Sequence, residues 1–136
     1  MNIVLDTNIL VSALWKPAGN ASLILSHVIA GDLQVCYDYR IMEEYRDVLL
    51  RPKFRFSPAS VKILLDYIAC SGLSIVAPPL PDILMPDEDD RPFYEVARAC
   101  NALLITGNAR DFPADTLIVT PSEFLARYSG NITGRN

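Results

Sequence analysis

Ile3-Val4-Leu5-Asp6-Thr7-Asn8 is a short aliphatic run that stops abruptly in an acid and two small polar residues. A run of this kind reads as a buried strand that delivers a carboxylate to the rim of a sheet. Three later positions share its chemistry: Glu44 in a helix-patterned segment, Asp90 at the end of Asp87-Glu88-Asp89-Asp90, and Asn108 just after Leu103-Leu104-Ile105-Thr106. Oxygen donors from four separate places are the ligand type that suits a hard divalent cation.

Working outward, β-rich runs alternate with longer amphipathic segments, the pattern of an α/β domain with a mainly parallel sheet. Five strands are expected near 2–5, 34–37, 74–76, 103–106 and 117–119. Helices are expected near 20–30, 40–50, 58–71, 91–101 and 122–128, with a short one over 8–14. Ser57-Pro58 reads as a cap followed by a first-turn proline, and Gly31 and Gly72 suit helix ends. Pro78, Pro79, Pro81 and Pro86 make the 77–89 connection a loop. A single domain over 1–128 followed by a polar, mobile tail over 129–136 is the expected organisation.

At 136 residues, with 51% hydrophobic and 21% charged residues, the chain has enough apolar side chain for a core without staples. No apolar run reaches the length of a membrane span and the first residues are a strand rather than a leader, so a cytoplasmic protein is expected. Cys36, Cys70 and Cys100 lack metal-binding or disulfide spacing and are expected as buried free thiols. The single histidine, His27, falls within the apolar periodicity of Leu23, Ile24, Val28 and Ile29, which gives it a helix-flank role and leaves no histidine base. A net charge of −4 argues against a nucleic-acid partner, except where the acids themselves hold cations.

In a parallel sheet with returning helices, strand C-termini and helix N-termini share one rim, and ligand sites form there. Asp6 and Asn108 follow strand ends, Asp90 starts a helix, and Glu44 lies early in the helix after strand 34–37. Ile41, Met42, Tyr45, Val48 and Leu49 define the apolar face of that helix. At about 100° per residue Glu43 points away from this face while Glu44 lies on its border. Asp90 is followed by Phe93, Val96, Ala97 and Cys100 at helical spacing, so it is the acid nearest a buried helix, and Asp87, Glu88 and Asp89 are assigned to the solvated loop.

Val4-Leu5-Asp6-Thr7-Asn8, Glu44-Tyr45, Asp90-x-x-Phe93 leading to Ala97, and Thr106-Gly107-Asn108-Ala109-Arg110-Asp111-Phe112 occur in this order. Together they resemble the PIN-domain family, in particular its VapC-like toxins, over nearly the whole chain. The resemblance implies a three-layer α/β/α sandwich and a metal-dependent endoribonuclease that uses Mg²⁺ or Mn²⁺. It also implies a cognate antitoxin and a homodimer. The family's acidic positions fall on Asp6, Glu44 and Asp90, taken as metal ligands, with the fourth on Asn108, where many members carry aspartate. Asparagine offers an oxygen without charge, and Asp111 is the nearby source of the missing charge. Thr7, Asn8 and Thr106 complete the set of additional candidates. Hydrolysis by water would leave a 5′-phosphate and a 3′-hydroxyl.

Plainer readings stand beside these. Asp6 and Asp90 are placed to cap helices, Glu44 to lie on a surface, and Asn108 to Asp111 to form a turn. Capping, however, does not require all four to meet on one rim. Arg51-Pro52-Lys53-Phe54-Arg55-Phe56 interleaves three cations with aromatics. It reads equally as an RNA or partner contact through Arg51, Lys53 and Arg55, or as a helix connection with inward phenylalanines. Trp15, Lys16 and Pro17 line a substrate groove, a partner interface or the core. Phosphatase and receiver-domain patterns fit poorly, lacking a second aspartate at position 8 and a late lysine. A PIN-fold binding module with weak catalysis is the alternative function.

Overall fold

The computed structural model describes residues 1–134, the last five of them by backbone alone. Five parallel strands form one sheet in the order β3-β2-β1-β4-β5: β1 (Asn2–Leu5), β2 (Gln34–Tyr37), β3 (Leu73–Ser74), β4 (Leu103–Ile105) and β5 (Ile118–Val119). In register, Ile3 lies between Val35 of β2 and Leu103 of β4, and Leu5 pairs with Ile105. Successive strand residues face opposite sides, so the complete burial of Ile3, Val4 and Leu5 means that both faces of β1 are covered. This is the α/β architecture expected from the alternating pattern.

Among the described residues six α-helices accompany the sheet: α1 (Thr7–Trp15), α2 (Asn20–Ile29), α3 (Tyr39–Leu49), α4 (Pro58–Ser71), α5 (Arg91–Cys100) and α6 (Pro121–Gly134). From β1 the chain steps outward to β2 and β3, then α5 carries it back across β2 and β1 to β4. The direction of winding therefore reverses between β1 and β4. A crevice at the carboxyl ends of those two strands follows from this topology.

Local chemistry explains the boundaries. Asp38 starts α3 by accepting a hydrogen bond from the Ile41 amide at 3.0 Å, and Ser57 caps α4 ahead of Pro58. A Cβ on Gly72 would lie 2.5 Å from the Ile68 and Val35 carbonyl oxygens, so only glycine lets the end of α4 pass so close to β2. β3 stops earlier than expected. Its pairing continues only as far as the Ile75 amide on the Tyr37 carbonyl, and Pro78 and Pro79 then supply no donors.

Several expectations need correction. The last helix, expected over 122–128, runs Pro121–Gly134, so residues 129–134 of the expected tail are helical and Arg135 and Asn136 lie outside the described residues. No proline interrupts Ser129 to Gly134, and polar composition alone does not end a helix. All three cysteines are free, but only Cys36 is buried; Cys100 is half-buried and Cys70 lies on the exposed side of α4. His27 flanks α2 as expected, with Nδ1 3.1 Å from Asp32 and its ring edge against Tyr128. Among the described residues no helix is long and apolar enough to cross a membrane.

Candidate active site

Asp6 leaves β1 with its amide donating to the Ile105 carbonyl at 3.0 Å, which seats it between the ends of β1 and β4 where the winding reverses. Its Oδ2 accepts hydrogen bonds from Thr106 Oγ1 at 2.7 Å and from Asn8 Nδ2 at 3.2 Å. Although Asp6 occupies the N-cap position of α1, its side chain makes no capping bond, and the same holds for Asp90 ahead of α5. Neither acid makes the side-chain capping bond that Asp38 makes in the same molecule, although the Thr7 amide at the start of α1 does help to lower the Asp6 carboxyl.

Glu44 reaches the rim because Tyr45, its neighbour, is fully buried and donates its hydroxyl to the Leu5 carbonyl, docking α3 on the end of β1. Thr7 Oγ1 then donates to Glu44 Oε2. Glu43 is exposed, as the helix phase requires. Thr106 is the hub beneath the site, for its hydroxyl donates to Asp6 and accepts from the Asn108 amide at 3.0 Å. Asn108 itself is exposed and directs its side-chain amide to Asp111 Oδ2 at 2.7 Å, so it positions an acid as well as offering an oxygen.

The tightest grouping of acids differs from the predicted one. One carboxylate oxygen from each of Asp87, Asp90 and Asp111 lies within 4.8 Å of the others. Asp87 had been assigned to the solvated loop. It is exposed, but residues 88–90 form a 3-10 turn that follows it, and in such a turn residues three apart eclipse one another. The spacing Asp87-x-x-Asp90 was the available signal.

Electrostatics join the two groups. Burial pushes the Asp6 carboxyl up to about 6, against the hydrogen bond from Thr106 and with help from the charges of Glu44 and Asp111. The Asp90 carboxyl is pushed up to about 7 by burial and then by Asp6, Asp87, Asp111 and Glu44. Glu44 is also raised, mainly by burial. Among the described residues no lysine, arginine or histidine forms an ion pair with any of Asp6, Glu44, Asp87, Asp90 or Asp111. Five carboxylates sharing one rim without a basic partner fit a hard divalent cation, which prefers such oxygens and would relieve their repulsion.

The proline-rich loop ahead of Asp87 is tied down from α5. Buried Glu95 accepts from the Leu80 amide at 2.7 Å and from Arg40 at 2.8 Å, while Arg91 donates to the Leu80 and Ile83 carbonyls. A recess of about 620 Å³ lies beside this strap, lined by Asp38, Tyr39, Arg40, Pro79, Arg91 and Glu95, and does not contain the acids. The clustered acids lie on the open rim and not in that hollow. Of the predicted contact residues, Arg51 is engaged with Asp47 at 3.1 Å, while Lys53 and Arg55 are exposed.

A parallel α/β domain with an acidic rim at its switch point is a framework that can hold a divalent cation. The chain belongs to the PIN-domain family, whose profile it matches over residues 2–110. PIN domains are generally metal-dependent nucleases. The chain is also similar to the uncharacterized protein MJ1680 of Methanocaldococcus jannaschii, with 31% identity over 110 residues covering 79% of this chain and 71% of that one. No solved structure matches it significantly.

Proposed function

We propose that the protein is a metal-dependent endoribonuclease and the toxin of a VapC-like toxin–antitoxin pair. The observation that carries the nuclease reading is the set of five acids at the β1–β4 crevice that have no ion-pair partner among the described residues. Asp6, Asp90 and Glu44 would hold Mg²⁺ or Mn²⁺, with Asp111, Asp87 and Asn108 completing the oxygen set. The cation supplies Lewis-acid activation of the phosphodiester and a nucleophilic water at neutral pH. Thr106 and Asn8 orient the Asp6 carboxylate, Thr7 holds Glu44, and Asn108 holds Asp111. These bonds fix the acids in place before metal arrives, so little reorganisation is required on binding.

Asn108 removes one charge relative to members with aspartate there, and Asp111 restores it in the same turn. The alternative, a PIN-fold binding module with weak catalysis, is favoured by the uncharged Asn108 and by the net charge of −4, and a metal titration separates the two readings. The toxin role, the antitoxin partner and the homodimer rest on the resemblance to VapC-like chains and are tested by co-purification and size-exclusion chromatography. Cleavage is tested with a pool of single-stranded and structured RNA in Mg²⁺, Mn²⁺ or chelator, beside Asp6→Asn. Metal-dependent products that fall at least about 100-fold in the variant are expected. Equal cleavage in chelator, or by the variant, would overturn the proposal.

A further inference from the structure

Away from the acids, three aromatic rings meet at the surface, one exposed and two half-buried. Trp15 closes α1 and is 56% exposed. Phe54 and Phe56 stack on each other with centroids 5.5 Å apart and planes 9° from parallel, and Trp15 meets them edge-on at 5.9 and 6.1 Å. Arg55 between them takes the left-handed conformation, φ 56°, at the end of the 3-10 turn Pro52–Phe54 and stays exposed. Leu14, Trp15, Lys53, Phe54, Arg55 and Phe56 line a recess of about 540 Å³. The inward reading holds in part, since Phe56 packs against the core and both phenylalanines are half-buried, while Trp15 stays exposed beside them.

Basic residues accompany the rings. The Lys53 ammonium lies 5.1 Å from the Phe54 ring centroid, Arg55 lines the same recess, and Lys16 follows Trp15 in sequence; Lys16 and Arg55 are exposed with no carboxylate in ion-pair range among the described residues. In a chain of net charge −4, such a concentration of unanswered cations around aromatic faces is complementary to a polyanion that also carries flat rings. Single-stranded RNA has both features, whereas a duplex hides its bases and an apolar peptide would leave the cations unanswered. α1 connects the two regions directly. From Thr7 beside the acids to Trp15 is about 12 Å along the helix axis, roughly the rise of three or four stacked nucleotides.

We propose that Trp15, Phe54 and Phe56, with Lys53, Arg55 and Lys16, form a stacking subsite for bases of a single-stranded RNA several nucleotides from the scissile phosphate. The inference deepens the nuclease reading and rests on it for the identity of the strand. Trp15 is the only tryptophan, so intrinsic fluorescence reports this subsite alone. In chelator, where the acids cannot act through metal, titration with a short single-stranded RNA should quench Trp15. The duplex of the same sequence and inorganic polyphosphate should not.

Lys53→Ala with Arg55→Ala should raise the Kd for the single strand about tenfold and lessen its salt dependence, and Trp15→Ala should raise KM for single-stranded RNA by a similar factor. Unchanged fluorescence with the single strand, or equal quenching by duplex or polyphosphate, would overturn the subsite. Quenching by a co-purified protein partner and not by RNA would overturn it in favour of a protein dock. Metal-dependent cleavage with unchanged fluorescence would remove the subsite and leave the nuclease intact. Quenching without cleavage in any metal would do the reverse.

Discussion

Asp90 opens α5 without capping it, and its carboxyl is pushed up to about 7 by burial and by four neighbouring acids. Asp6 is pushed up to about 6 for the same leading reason. Upward shifts mean that the folded protein keeps protons which the unfolded chain has released. Their stabilising contribution is complete below the ordinary value of 3.8 and is lost as pH rises through about 6 and about 7. Metal-free protein should therefore melt at lower temperature at pH 8 than at pH 5 as far as these two groups are concerned. Asp90→Asn should remove part of that slope and raise stability at pH 8 by about 1 kcal/mol, discounted because Asp90 is half-exposed. Calorimetry across this range checks it, and a variant no more stable than wild type at pH 8 would contradict the electrostatic account. Helix phase was enough to separate Glu44 from Glu43, because a 3.6-residue period is a property of the chain. The Asp87-x-x-Asp90 spacing brings the two acids together only where the chain takes a 3-10 turn, and a run of four acids reads equally well as solvated loop.

Element by element, the helices and strands were legible wherever periodicity and breakers agreed: α4 begins at Pro58 and ends at Ser71 as Ser57-Pro58 and Gly72 dictate. The strap ahead of the acids was not legible. Glu95 looks like an ordinary helical glutamate in sequence, yet it is buried, bonded to Arg40 and to the Leu80 amide. Removing it with Glu95→Ala should leave the Arg40 guanidinium and the Leu80 amide without that partner, at a cost of about 3 kcal/mol. Denaturant unfolding measures the loss, and limited proteolysis should show faster cutting within 76–87. A loss below about 0.5 kcal/mol would mean that the strap is held by the Arg91 bonds alone. Gly72→Ala is expected to destabilise by 2 kcal/mol or more, since its Cβ would press on two carbonyl oxygens of the backbone. That outcome is read from the same unfolding curves.

For the molecule as a whole, a parallel sheet was readable from the alternation of strands and helices, but the order β3-β2-β1-β4-β5 was not, since no residue records which neighbour a strand chooses. That order brings Asp6 and Asp111, more than a hundred residues apart, to one rim. An ion that binds there binds only the folded chain, so Mn²⁺ at about 100 times its Kd should add about 2.7 kcal/mol of stability. Proton competition should weaken this effect as pH falls below about 7, where Asp90 takes up its proton. Thermal melts with and without Mn²⁺ at pH 6 and pH 8 measure both. The most direct test of the central claim is the initial rate of single-stranded RNA cleavage against Mn²⁺ concentration for wild type and Asp90→Asn. The account predicts a saturable, chelator-sensitive rate in wild type and a fall of at least about 100-fold in the variant. A rate independent of metal, or equal in the two proteins, would contradict it.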